Sequence, residues 1–275
     1  MSFEIQDTLI IINSANRADK VITHKLFPKN TIDWKIVVPA DQYKEYSKNY
    51  WPRVEAVDDE VPPYLPSQRQ WCVEQFQNNY KYIWFMDDDL TFFVRTIELK
   101  LEKAGVPDIA YMMHEMRNQL NKFSMVGIST RLGNNRVTEN YADTTRVTRC
   151  YAFSTEAFKD VGATFAPFEP FVAEDFHMTL CFLNKGYNNR VIYNYAQEDV
   201  GSNATGGCSV YRTPEIQAKT SHWMAENHPE VRVKVKKAKA WKGFGDTRVD
   251  MVVQWKKAYK PKKSNKSRWL IGQKG

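Results

Sequence analysis

Tyr82-Ile-Trp-Phe-Met86 runs without a spacer into Asp87-Asp88-Asp89-Leu90. Apolar and aromatic residues in unbroken succession suit a strand covered on both faces, as in the parallel part of an α/β sheet. Three adjacent carboxylates repel one another, and such a cluster is costly unless a cation neutralises it. All-oxygen carboxylate sites favour hard divalent ions such as Mg2+ or Mn2+. In open α/β sheets ligands bind just beyond the carboxyl ends of strands, where these aspartates fall. The plainer alternative is a solvated acidic turn.

The rest of the chain alternates strand-like and helix-like segments around that run. Residues 8–13 read as a first strand followed by the polar loop Ser14-Ala-Asn-Arg17, and residues 34–38 as a second strand stopped by Pro39. Asp41 is placed to cap a helix to about Lys48. Ser67-Gln-Arg-Gln70 has the form of a capping box, opening a helix with Cys72, Phe76 and Tyr80 on one face. Asp108 begins a helix in which Ile109, Met112, Met113, Met116 and Leu120 recur at helical spacing, as a core stripe does. Residues 123–130 and 147–153 are strand-like, with a polar, arginine-rich loop over 131–149 between them. Ser154 caps a short helix ending near Gly162; a helix over 175–184 stops at Gly186, and 191–195 form a last central strand. This order argues for an α/β sheet with mainly parallel core strands.

With 275 residues, 43% of them hydrophobic, the chain has enough apolar material for one large domain or two small ones. No run is long enough to span a bilayer, and the first 19 residues place no basic segment before an apolar core, so a signal peptide is not expected. Cys72, Cys150, Cys181 and Cys208 are scattered without a Cys-x-x-Cys pair. That argues against a zinc knuckle and for a reduced, cytoplasmic setting. The charge is unevenly spread. Residues 231–275 hold 15 Lys and Arg against Asp246 and Asp250, a net +13, while the preceding 230 residues hold 24 basic and 30 acidic side chains, a net −6. A mildly acidic body over 1–230 with a basic C-terminal extension over 231–275 points to a polyanionic partner, nucleic acid before membrane.

Asp87-Asp88-Asp89 after a buried strand, followed 85 residues on by Glu174-Asp175 opening a helix that runs to Gly186-Tyr187, resembles the glycosyltransferases of GT-A fold. The likeness covers about residues 8–200 and implies a Rossmann-like, mostly parallel central sheet flanked by helices. Ser14 and Arg17, Gln68-Arg69-Gln70, the Asp-Asp-Asp-Leu run and Gly206-Gly207-Cys208 make the chain similar to phage glycosyltransferases found beside base-oxidising dioxygenases. That resemblance implies sugar transfer from a nucleotide donor, UDP-linked, onto hydroxymethylated pyrimidines of phage DNA, 5-hydroxymethylcytosine first, in the bacterial host cytoplasm.

The resemblance assigns Asp89 as the main ligand of Mn2+ or Mg2+, Asp87 as its partner near the sugar or ribose, and Asp88 to the donor site. Asp175 is the general base of an inverting transfer, with Glu174 binding the acceptor or orienting Asp175; an ordinary helix cap is the alternative. Arg17 and Arg69 suit bidentate recognition of phosphate, and Ser14 the uracil or ribose. Gly206-Gly207 gives a loop that a phosphate can approach. His177 and His222 are the nearest candidates for the late metal-binding histidine of some GT-A enzymes. Arg131, Asn134, Asn135 and Arg136 are of the types that read base edges or phosphates and form a candidate acceptor surface. In the tail, Val231, Val233 and Val235 alternate with Arg232, Lys234 and Lys236. Lys237, Lys242 and further lysines stand among Trp241, Trp255 and Trp269, cations for phosphates and rings for exposed bases. The same features leave three alternatives open: a glycan or polysaccharide acceptor, a metal-dependent nuclease, and a non-catalytic DNA-binding module.

Overall fold

The computed structural model describes residues 4–135, 137–199, 210–237 and 247–262. Arg136, Gly206, Gly207, Cys208, Trp241, Lys242 and Trp269 lie outside the described residues. In chain order the elements are β1 (Ile5–Asn13), β2 (Ile32–Val38), α1 (Tyr43–Tyr50), β3 (Val54–Ala56), α2 (Leu65–Phe76), β4 (Tyr82–Asp87), β5 (Thr91–Arg95), β6 (Leu101–Lys103), α3 (Val106–Gln119) and β7 (Met125–Thr130). There follow α4 (Arg131–Asn134), β8 (Tyr141–Asp143), β9 (Cys150–Ser154), α5 (Thr155–Val161), α6 (Glu174–Asn184), β10 (Asn189–Glu198), α7 (Pro214–Asn227), β11 (Val231–Lys237), β12 (Thr247–Val253) and α8 (Trp255–Ala258).

Ten strands form one sheet in the order β3-β2-β1-β4-β9-β7-β10-β5-β6, with β8 added to β10. The fold class is α/β, as expected. Strands β3, β2, β1 and β4 are parallel, as are β7 and β10. β9 enters between β4 and β7 antiparallel to both, and β5, β6 and β8 add antiparallel pairings on the β10 side.

Side chains of the central strands alternate between two cores. Ile10, Ile12, Trp84 and Met86 pack with Ile109, Met112, Met113 and Met116 of α3, so the methionine stripe is core. Leu9, Ile11, Ile83 and Phe85 face Trp71 and Cys72 of α2, Phe158 of α5, and Met178 and Phe182 of α6. With helices on both faces, β4 is buried from Tyr82 to Met86, which is why its sequence lacks a polar alternation.

Several boundaries differ from the sequence reading. Helix α2 starts at Leu65, with Pro66 in its first turn, so Ser67 is inside the helix and its hydroxyl bonds Glu169 rather than forming a capping box. The loop over 131–149 contains the short α4 and β8. Ser154 does cap α5, accepting from Ala157 N, and Gly162 closes that helix in the left-handed region at φ 66°.

A third core joins the basic segment to the body. Phe171, Leu180, Leu183 and Met224 enclose Val231, Met251 and Ala258. The antiparallel hairpin of β11 and β12 turns one face inward through Val231 and Met251 and leaves Arg232, Lys234 and Lys237 exposed. No described helix is long and apolar enough to cross a membrane.

Candidate active site

Parallel pairing sets Asn13, the last residue of β1, opposite Asp87, the last of β4. The chain leaving both strands therefore emerges at one edge of the sheet, bringing Ser14–Arg17 against Asp88 and Asp89 across more than 70 residues of sequence. A turn over Thr23–Leu26 braces the aspartate loop: Thr23 donates its hydroxyl to Asp87 O at 2.6 Å and accepts from Leu90 N at 2.9 Å. Arg69 of α2 and Glu174 and Asp175, at the start of α6, close the other side. The result is a cleft of about 530 Å3, which Arg146, Arg149, Asp199, Tyr211 and Arg212 also line.

Two arginines organise its carboxylates. Arg17 Nη1 lies 3.0 Å from both Asp88 Oδ1 and Asp89 Oδ2. Arg69 reaches Asp87 Oδ1 at 2.9 Å through Nη2 and Glu174 Oε1 at 2.8 Å through Nη1. Its guanidinium is buried over the rings of Phe85 and Tyr151, at 5.1 and 5.8 Å, so the cation is held by aromatic faces as well as by charge. Ser14 Oγ bonds Asp88 and lies 2.8 Å from Tyr46 OH, whose oxygen also accepts from Arg17 N at 3.0 Å. Arg146 grips Asp175 Oδ2 through Nη2 at 2.7 Å and Nε at 3.1 Å, and Arg149 pairs with Asp199 at 2.8 Å.

The electrostatics sort the acids. Burial pushes Asp87 up to about 7 against the pull of Arg69 and Arg149, and the neighbouring Asp89 adds to the rise. Burial and then Asp88 raise Asp89, opposed by Arg17. Burial raises Glu174 despite Arg69. For Asp175, burial acts upward but Arg146 and hydrogen bonds from Thr148 and Phe176 N outweigh it, holding the carboxyl below its usual range. Burial thus makes Asp87 and Asp89 costlier to ionise than their arginines offset, a cost that a divalent ion held between them would relieve. Two such ligands suffice, since diphosphate oxygens and water complete an octahedral shell.

Ser14, Arg17, Arg69, Asp87, Asp88, Asp89, Glu174 and Asp175 all line this cleft. Other candidates fall elsewhere. Asn134 is buried, and its amide donates to Ser129 Oγ at 2.8 Å and Tyr193 O at 2.7 Å; it ties α4 to β10 and is unavailable to an acceptor. Arg131 pairs with Glu198 at 2.7 Å over the ring of Phe93, and Asn135 is exposed; neither lines the cleft. Lys236 is bonded to Asp250 at 2.8 Å, and Lys237 is exposed at the hairpin. His222 is exposed on α7, and His177 bonds His228 at 2.8 Å, so neither histidine joins the aspartates. Arg146, Arg149, Asp199, Tyr211 and Arg212 were not anticipated. Only the abundance of arginine in 131–149 signalled the first two.

Comparison with known proteins gives one family and several distant shapes. No curated protein matches the chain. Among solved structures, 4-diphosphocytidyl-2C-methyl-D-erythritol synthase of Anaerococcus prevotii is 11% identical, covering 73% of this chain and 92% of its own, at a TM-score of 0.44. A nucleotide-diphospho-sugar transferase of Desulfovibrio desulfuricans is 11% identical, with coverages of 68% and 80% and a TM-score of 0.44. The catalytic domain of Drosophila β1,4-galactosyltransferase 7 is 10% identical, with coverages of 90% and 94% and a TM-score of 0.47. These likenesses are too distant to bear on function. The model of the TET-associated glycosyltransferases, however, matches residues 8–207, a span that includes Arg17, Arg69 and every acidic residue of the cleft, and the chain belongs to that family.

Proposed function

We propose that this glycosyltransferase moves a sugar from a UDP-linked donor to the hydroxymethyl group of a 5-hydroxymethylated pyrimidine, 5-hydroxymethylcytosine first, in phage DNA. The observation that carries the reading is the meeting of Arg17, Arg69, Asp87–Asp89 and Glu174-Asp175 in one cleft at the ends of β1 and β4. Asp87 and Asp89 would hold a divalent ion, which would supply charge neutralisation to the leaving nucleoside diphosphate. Arg17, Arg149 and Arg212 offer guanidinium groups to its phosphates, and Ser14 a hydroxyl to the nucleoside. Arg69 fixes Asp87 and Glu174 relative to each other.

Asp175 is the proton acceptor in an inverting transfer. Arg146 keeps it ionised at neutral pH, so it can take the hydroxyl proton as the oxygen bonds the anomeric carbon and the nucleoside diphosphate leaves. In a retaining transfer that role falls away. The reactive hydroxyl is reached on a flipped or single-stranded base. The segment over 231–275, with its exposed Arg232, Lys234 and Lys237, is assigned to holding the DNA backbone.

The test is incubation with Mn2+, labelled UDP-sugars and hydroxymethylated DNA, read by mass spectrometry of the nucleosides. Glycosylated nucleosides are expected, abolished by Asp89→Asn and reduced about 10²–10⁴-fold in kcat by Asp175→Asn. Label on glycans but not on DNA would reassign the acceptor, and strand cleavage dependent on Asp89 would reassign the chemistry.

A further inference from the structure

Where α6 meets the end of α7, three metal-ligating side chains converge that sugar transfer does not use. His177 and Cys181 stand one turn apart on α6, at the i, i+4 spacing that puts both on one face. His228 closes the C-terminus of α7. His177 Nδ1 lies 2.8 Å from His228 Nε2 and 3.6 Å from Cys181 Sγ, and one ligand atom from each residue falls within 4.8 Å of the other two. Among the described residues no other three histidine, cysteine or acidic side chains gather so closely, the cleft aspartates included. Both imidazoles are buried, 6% exposed each, against the rings of Phe171 and Trp223.

We propose that His177, Cys181 and His228 bind a zinc-class ion, a borderline-soft d10 cation, which staples α6 to the end of α7. Nitrogen and thiolate ligands select such an ion over Mg2+ or Mn2+, which the oxygen-lined cleft suits. Bond lengths of about 2.0–2.1 Å to nitrogen and about 2.3 Å to sulfur make tetrahedral edges of about 3.3 Å between nitrogens and about 3.5 Å between nitrogen and sulfur. The edge from His177 to Cys181 is already in place, and the imidazoles part by about half an ångström from their hydrogen bond as His228 and Cys181 close on the ion. An outer partner of the kind that orients a ligand imidazole is present on His177. The Thr164 main chain is hydrogen-bonded to His177, and the carboxylate of buried Glu230 acts on His228. A water takes the fourth position. Binding releases one proton, that of the Cys181 thiol, while the proton shared by the imidazoles moves to the other nitrogen of the donor ring.

This ion sits one turn from Asp175, so it would set the pose of the helix that presents Glu174 and Asp175 to the cleft. The test uses the full chain, stripped with a chelator and titrated with Co2+ as a coloured substitute for Zn2+. One equivalent is expected to give the intense visible bands of four-coordinate cobalt and a near-ultraviolet thiolate charge-transfer band, both removed by added Zn2+. Asp87→Asn, which alters only the cleft, leaves the spectrum intact. Cys181→Ser loses the charge-transfer band, and Cys181→Ser and His228→Gln each weaken zinc affinity by at least about 100-fold. Zinc raises the melting temperature of the unmodified chain and of Asp87→Asn but not of Cys181→Ser. A spectrum without a thiolate band, a band that survives in Cys181→Ser, or cobalt binding that only Asp87→Asn abolishes overturns the proposal.

Discussion

Arg69 is a buried cation whose two terminal nitrogens reach carboxylates from different elements, Asp87 at the end of β4 and Glu174 at the start of α6. Replacing it with Met leaves two acids against apolar rings without their counter-ion. Urea unfolding of Arg69→Met is expected to show a loss of about 3–5 kcal/mol, the range for breaking one side of a buried ion pair. Lysine is a poor substitute, since one ammonium does not fork between the two acids. Arg146 acts on chemistry more than on stability, because its side chain is 42% exposed and its pair with Asp175 is partly screened. Arg146→Ala removes the cation that depresses Asp175, so the Asp175 pKa rises and the acid limb of the kcat profile moves to higher pH. An unmoved limb would remove Asp175 from the base role. The acids of the cleft were legible in the sequence because they are clustered and sit at element ends. Arg146, Arg149, Asp199 and Arg212 were not, because nothing local distinguishes a cleft arginine from a surface one until the fold brings it to a carboxylate. The pairing of His177 and Cys181 with His228 escaped for the same reason, the third ligand lying on another helix.

At the level of elements, the turn over Thr23–Leu26 shows how the aspartates are held. Its Thr23 hydroxyl and the Ile22 amide bond the main chain of Asp87, Asp88 and Leu90, while His24 stacks on Trp34 of β2 at 5.3 Å and meets Tyr50 of α1 edge-on at 5.4 Å. Burial lowers the His24 pKa, with Lys25 adding to the fall. The native state therefore binds this proton less readily than the unfolded chain. The stabilisation is complete above the ordinary value of about 6.5 and is lost as pH falls from there towards the folded-state value. Denaturation midpoints measured across that window are expected to fall with pH less steeply in His24→Phe than in the parent. Elements with a strong local signature were readable: β4 from its unbroken apolar run, α3 from its methionine spacing, α5 from Ser154 and Gly162. The reversed direction of β9 was not, since a short apolar strand such as Cys150–Phe153 looks the same whichever way its neighbours point. The capping-box reading at Ser67 failed because Pro66 had already started the helix.

Over the whole molecule, the contrast between a net −6 over residues 1–230 and a net +13 over 231–275 was plain in the sequence. What composition did not reveal is the join. Val231, Met251 and Ala258 complete a core with Leu180 and Leu183 of α6 and Met224 of α7. Cutting the chain at residue 230 would therefore open that core, and charge neutralisation is the cleaner probe of DNA binding. Changing Arg232, Lys234 and Lys237 to Gln is expected to flatten the dependence of log Kd on log salt by up to about 0.9 per charge removed, with the rate on a free nucleoside acceptor unchanged. An unaltered slope would take the hairpin out of DNA binding. Because β11 is anchored through Val231, its cations are mounted at a set distance and angle from the carboxylates of α6, as a gauge is fixed to a cutting tool. On the proposed reading, DNA seated on them would be indexed rather than merely retained, and the spacing of modified positions along it should follow the geometry of the protein.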